Sequence, residues 1–223
     1  MNRTSYYLIW LLVPTLLGLV SAHPELLLVA LVALVAQRWL PDPYLYFKHY
    51  SRIRALEALL VTNPHNSEAQ RDLVRIYLDK GQAVRALPVV TAALVRDPDS
   101  AELHYLHGAA LLGAKRPAEA LEPLGVAVAR DPKLRYGDAY LRLGDALLAL
   151  GRHEEAERAY DELISINSST VEGYVKLARA RKARGDEPGA QRAYDEARAT
   201  YRQLPGFLRR RDWSWAVRAF LGW

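Results

Sequence analysis

The sequence predicts an all-α protein in which a helical solenoid of about four units follows a transmembrane helical hairpin. Three observations carry that expectation. Prolines recur 34 residues apart, at Pro64, Pro98 and Pro132. Large and small side chains recur at matching places within each interval, and the first forty residues hold much of the Leu and Val. A fixed period of this order marks stacked helical units, and stretches so apolar belong in lipid or in a core.

The amino-terminal element comes first. Tyr6 to Ala22 and Pro24 to Leu40 are two apolar stretches of 17 residues each, separated by His23. Each spans roughly 26 Å as a helix, enough to cross a bilayer core of about 30 Å with snorkelling ends. A single helix through both would bury Glu25 near its middle, so residues 1–41 are expected to form a membrane hairpin with Glu25 at one surface. Arg3 and the Arg38, Lys48, Arg52 and Arg54 group then share the other surface, which places both ends in the cytoplasm. Trp39, Tyr44, Tyr46 and Phe47 surround the Pro41-Asp42-Pro43 break, where aromatic rings suit the headgroup region. Two alternatives stand beside the hairpin. One is a cleaved signal peptide ending at Val20-Ser21-Ala22, with a single span from Leu26 to Leu40; the other is a buried soluble hairpin.

Charge is distributed to match. Of the net +5, residues 1–41 carry +1, residues 42–66 carry +1, residues 67–204 are neutral and residues 205–223 carry +3. A nucleic-acid binder concentrates its positive charge on the folded domain, so this layout points to a membrane surface instead. The chain has no Cys, which excludes disulfides, a thiol nucleophile, Cys-ligated zinc and a lipoprotein acyl anchor. Residues 42–66 are expected to form a linking helix, from about Tyr46 to Val61, that caps the solenoid and couples it to the membrane segment.

The repeats occupy residues 67–204 as four units, 67–100, 101–134, 137–170 and 171–204, with Arg135-Tyr136 inserted between the second and third. At the seventh and eighth places stand Leu73-Val74, His107-Gly108, Leu143-Gly144 and Leu177-Ala178, a large residue beside a small one in three of the four. At the fifteenth stand Gly81, Lys115, Gly151 and Gly185, three glycines of four, ending the first helix where a left-handed backbone is easiest for Gly. Ala86, Ala120, Ala156 and Ala190 hold the twentieth place, Val90, Leu124, Tyr160 and Tyr194 the twenty-fourth, and Ala93, Ala127, Leu163 and Ala197 the twenty-seventh. These residues resemble the tetratricopeptide-repeat (TPR) family, most closely in the third unit, YLRLGDALLALGRHEEAERAYDELISIN. His104, His107, Lys115 and Ser168 depart from its pattern.

The resemblance implies pairs of antiparallel helices stacked into a curved ribbon, with partners held on the concave face by places two, five, nine and twelve of each first helix. Carried over, these give Glu68, Arg71, Arg75 and Leu78; Glu102, Tyr105, Ala109 and Leu112; Asp138, Leu141, Asp145 and Leu148; and Glu172, Val175, Arg179 and Lys182. The face is mixed in charge, basic near both ends, and suited to an extended or helical peptide. Family members that grip a terminal carboxylate use Lys, Asn and Arg; only Arg71, Arg75 and Arg142 fall near such places here, so that specificity is not expected.

The tail, residues 205–223, sets Arg209, Arg210 and Arg211 before Trp213, Trp215, Phe220 and Trp223. It is expected either to lay Trp213, Val217 and Phe220 on the last repeat as a capping helix or to lie in a membrane interface, where Arg209, Arg210, Arg211, Trp213 and Trp215 would meet headgroups. A partner-binding tail is a third option.

Chemistry has little to work with. His104 and His107 are three residues apart on one helix, but no third ligand follows from the spacing and both sit at packing positions. Glu154, Glu155 and Glu157 beside His153 open a helix, where acids suit the dipole. Neither enzyme activity, cofactor, metal, nucleic acid nor small-molecule substrate is expected. The functional expectation is a membrane-anchored adaptor at the cytoplasmic face of a bacterial inner membrane, the bacterial origin resting on the Ala-, Leu- and Arg-rich composition. A periplasm-facing assembly or chaperone-like factor and a fixed subunit of a larger membrane complex are the alternatives.

Overall fold

Short-range sequence signals set each helix end, and the ends fix how the helices can pair. The computed structural model describes residues 43–222, which form ten α-helices and one short 3-10 turn, with no strand among the described residues. The segments assigned to the membrane hairpin lie outside the described residues. Among the described residues, no helix is long and apolar enough to cross a membrane. The chain divides into two compact units, Met1–Arg54 and Ala55–Trp223. The division falls within the first described helix, α1 (Pro43–Thr62). From Ala55 onward α1 belongs to the second unit, where Glu57 accepts from the Arg85 guanidinium at 2.8 Å and from the Tyr77 hydroxyl.

The four expected helix pairs come next along the chain. They are α2 (Ser67–Asp79) with α3 (Ala83–Leu94), α4 (Ala101–Gly113) with α5 (Pro117–Arg130), α6 (Asp138–Ala149) with α7 (His153–Ile166), and α8 (Val171–Ala183) with α9 (Glu187–Gln203). A last helix, α10 (Gly206–Leu221), packs on α8 and α9. Three of the four first helices begin alike. Asn66, Ser100 and Thr170 accept from the backbone N–H three residues on, at 3.0, 3.4 and 3.1 Å, each cap contributing about 1 kcal/mol.

The third pair begins differently. The inserted Arg135 and Tyr136 take φ of 49° and 59°, and Gly137 follows at 85°. Three successive left-handed residues absorb two extra residues without moving the pair out of the stack. Two of them are not glycine, at a cost of about 1–2 kcal/mol each.

Small residues face large ones between paired helices. A Cβ on Gly108 would lie 2.4 Å from Leu124 Cγ, and one on Gly144 would lie 2.5 Å from Tyr160 Cε1. The alanines of the twentieth place, Ala86, Ala120, Ala156 and Ala190, are all buried. Helix axes therefore approach closely within these pairs, and in the third and fourth units the buried residues form one cluster that extends to Ala219 of the last helix. First helices of neighbouring units also approach each other, α2 on α4, α4 on α6, which puts them on the inner side of the curve.

Candidate functional site: the inner groove and the last helix

Along the inner side, α2, α4 and α6 wall a cleft of about 570 Å³. Arg75, Leu78 and Asp79 come from α2, Tyr105, Leu106, Ala109 and Leu112 from α4, and Asp138, Arg142 and Asp145 from α6, while Arg135 enters from the inserted turn. The left-handed bend aims Arg135 inward, its guanidinium 5.4 Å from the centre of the Tyr105 ring.

Charge in the cleft is balanced, and Arg75, Arg142 and Asp145 are held in ion pairs. Arg75 bonds Glu102 and reaches Asp72 at 3.2 Å, and the Glu102 hydrogen bond raises its pKa against the lowering effect of burial. The Tyr105 hydroxyl donates to Asp138, and burial first, then the Asp138 charge, pushes it up to about 12. Burial works to lower the Arg142 pKa, but the charges of Asp138, Tyr105 and Asp145 together carry it upward. Asp145 takes the Tyr160 hydroxyl at 2.9 Å and Lys176 at 2.7 Å. The fold leaves the buried Nε of Arg71, Arg75 and Arg142 without an acceptor. A buried donor left unpaired costs about 1–3 kcal/mol.

Of the residues assigned to the concave face, Arg75, Tyr105, Asp138 and Asp145 line this cleft, with Leu78, Ala109 and Leu112. Arg71 bonds Asp97 at 3.0 Å beside it, Glu102 holds Arg75, and Glu68 is exposed at the start of α2. Leu141 and Val175 are buried and neither lines this cleft. Arg135 escaped the sequence reading because it lies outside the repeat register; the insertion was its one visible signal.

In the fourth unit the inner face is already covered. Trp215 of α10 lies under Lys176 and Arg179, 5.4 and 5.9 Å from the ring centre, and the Lys182 Nζ donates to the Gly222 carbonyl at 3.3 Å. Glu172 is bound to Lys176 at 2.7 Å. Arg179 and Lys182 therefore serve the last helix.

That helix corrects a sequence expectation. The stripe Trp213, Val217 and Phe220 does not pack on the last repeat; these residues are 55%, 43% and 57% exposed. The packed face carries Leu208, Asp212, Trp215, Ala216 and Ala219 instead. The alanines let α10 lie close, and Asp212 is satisfied by Arg211 at 2.6 Å. Trp215 thus separates from Arg209, Arg210 and Trp213, with which it had been grouped. Of the other residues assigned to a membrane interface, Trp39 lies outside the described residues and Tyr44 falls in the first turn of α1.

His104 and His107 line a separate recess of about 530 Å³ between α3, α4 and α5, facing Arg116, Glu119 and Glu122. The His104 Nε2 is 2.8 Å from the Pro98 carbonyl. Burial, then the charges of His104 and Arg116, lowers the His107 pKa. Among the described residues, no group of three or more His, Cys, Asp or Glu is placed to hold a metal ion.

The tetratricopeptide-repeat family pattern matches residues 53–110 and 111–181. No curated protein matches the chain. Among solved structures, one crystal structure of MamA is 28% identical, with TM-score 0.62 over 68% of this chain and 87% of that one. A second is 26% identical, with TM-score 0.64 over 73% and 90%. MamA from Desulfovibrio magneticus RS-1, from residue 41 to its end, shares the fold at 20% identity, with TM-score 0.66 over 79% and 97%.

Proposed function

The chain belongs to the tetratricopeptide-repeat family, and on that premise we propose that it is a non-catalytic scaffold holding a segment of a partner protein along the inner groove of its first three units. One observation carries this: a cleft of about 570 Å³ with leucine walls and both signs of charge. A polypeptide brings carbonyl acceptors for the arginines and amide donors for the carboxylates in regular order, as an extended or helical segment does in a groove. The balance of Arg75, Arg135 and Arg142 against Asp79, Asp138 and Asp145 suits such a segment better than a polyanion.

The scaffold is further proposed to be tethered by residues 1–41 to a bacterial inner membrane, with the repeats in the cytoplasm. The length of the two apolar stretches and the cations at their outer ends support that placement. A periplasm-facing factor on a single span would expose the repeats to protease in intact spheroplasts, whereas the cytoplasmic arrangement protects them until the cells are opened. A fixed complex subunit would bring down stoichiometric partners on detergent extraction.

The groove is tested by a photo-crosslinking side chain at Ala109. A discrete adduct that disappears with Arg142→Glu is expected. Adducts indifferent to Arg142→Glu, or matched by the same probe at the outward-facing Val84, would refute the groove assignment.

A further inference from the structure

We propose that the outward face of α10, formed by Trp213, Val217, Phe220 and Leu221 beside Arg209 and Arg210, seats on a bilayer interface carrying anionic lipids. This does not depend on what the inner groove holds.

The helix has two faces with different work. Its inner face is fully used, with Asp212, Ala216 and Ala219 buried and Leu208 and Trp215 packed against the buried cluster of the last two units. Its outer face repeats large apolar groups at i, i+4, i+7 and i+8, all at least 43% exposed. Phe207, 73% exposed, opens the same helix. Arg198 reaches the Phe220 ring, 5.8 Å from its centre, but the stripe as a whole stays open to solvent, and soluble surfaces seldom line up large rings in this way.

Charge decides the occupant. Residues 205–223 carry +3, and the single carboxylate side chain among them, Asp212, is held by Arg211. Arg209 donates its Nε to the Leu204 carbonyl at 2.8 Å. Both Arg209 and Arg210 are exposed and face no carboxylate among the described residues. Cations bordering a Trp, Phe and Leu stripe are what an interfacial helix presents to anionic headgroups.

A protein helix fits less well. Each pair in the array admits its second helix at a small residue or a short branched one, as at Gly108, Gly144 and Ala178. The outer face of α10 has no Gly or Ala among its exposed stripe, and Trp213, Phe220 and Leu221 protrude around Val217. A lipid interface needs no notch.

The native chain lacks Cys, so single labels are simple to place on the full chain. Val217→Cys and, as control, Val84→Cys carry an environment-sensitive fluorophore, and each protein is incorporated into vesicles of phosphatidylcholine alone or mixed with phosphatidylglycerol. Circular dichroism confirms that each variant stays helical. The Val217 label should shift to the blue and be quenched by lipid-borne quenchers in the anionic vesicles only, with reversal at high salt. Replacing Arg209 or Arg210 by Ala should weaken the partition about fivefold each. The Val84 label should stay in water throughout.

An unshifted Val217 label in both lipids overturns the proposal. So does a response in neutral vesicles that Val84 shares, since that reports a tether and not docking. A shift that appears without vesicles as protein concentration rises overturns it in favour of a protein occupant. None of these results touches the Ala109 crosslink, so failure here and failure of the groove assignment are distinguishable.

Discussion

Lys115 holds the place that Gly81, Gly151 and Gly185 fill in the other units, and it adopts their backbone, with φ of +63° against +68°, +73° and +89°. An L side chain in this left-handed region costs about 1–2 kcal/mol. Lys115 gains nothing visible in return: its side chain is exposed and makes no ion pair among the described residues. Lys115→Gly removes that strain but makes the unfolded chain freer by about 0.5–1 kcal/mol. The net is a stabilisation of about 0.5–1 kcal/mol. Gly151→Ala is the mirror experiment. A Cβ there would meet nothing within 4 Å, so the backbone alone sets the cost, about 1 kcal/mol of destabilisation. Urea unfolding followed by far-ultraviolet circular dichroism reads both, the first midpoint rising by roughly 0.2–0.5 M and the second falling by a similar amount. A Lys115→Gly midpoint that falls, with Gly151→Ala unchanged, would show that side-chain contacts and not backbone handedness govern the turn.

Gly144→Ala should cost about 2–3 kcal/mol, because the new Cβ would meet the buried Tyr160 ring at 2.5 Å while its hydroxyl is held by Asp145. A Gly144→Ala/Tyr160→Leu pair should recover part of the loss in a double-mutant cycle. Asp145→Ala strips an acceptor from both Tyr160 and Lys176 and leaves the nearly buried Lys176 with Glu172 alone; a loss of about 2–3 kcal/mol is expected, read by thermal unfolding. His107, whose pKa burial lowers from 6.5, binds fewer protons folded than unfolded. Its contribution is therefore present above pH 6.5 and lost as pH falls below it. His107→Leu should flatten the decline in stability between neutral and mildly acidic pH, measured as the urea midpoint across that range.

The repeats were legible because they encode one constraint several times. Ala at the twentieth place and a small residue at the eighth recur, and burial of Ala86, Ala120, Ala156 and Ala190 follows from helices packed closely at those points. The turn at Lys115 was not legible, since Lys breaks the glycine pattern there; the structure shows that it keeps the left-handed backbone of Gly81, Gly151 and Gly185 all the same. The groove was half visible. Repeat register located Arg75, Tyr105, Asp138 and Asp145, but it also named Leu141 and Val175, which are buried. Arg135 stands outside any register, and its position depends on backbone angles that no periodicity foretells.

The tail misled for a physical reason. Hydrophobic spacing identifies a stripe without saying which neighbour takes it, and Trp213, Val217 and Phe220 form the better stripe. Close approach onto α8 and α9 instead favoured the alanine face, Ala216 and Ala219, with Trp215 lying beneath Lys176 and Arg179.

Because α10 rests on α8 and α9 as each unit's opening helix rests on the pair before it, it occupies the berth that a fifth unit would need. A repeat unit spliced directly after Gln203 would therefore have to displace α10 from α8 and α9, whereas one inserted between earlier pairs would leave that contact intact.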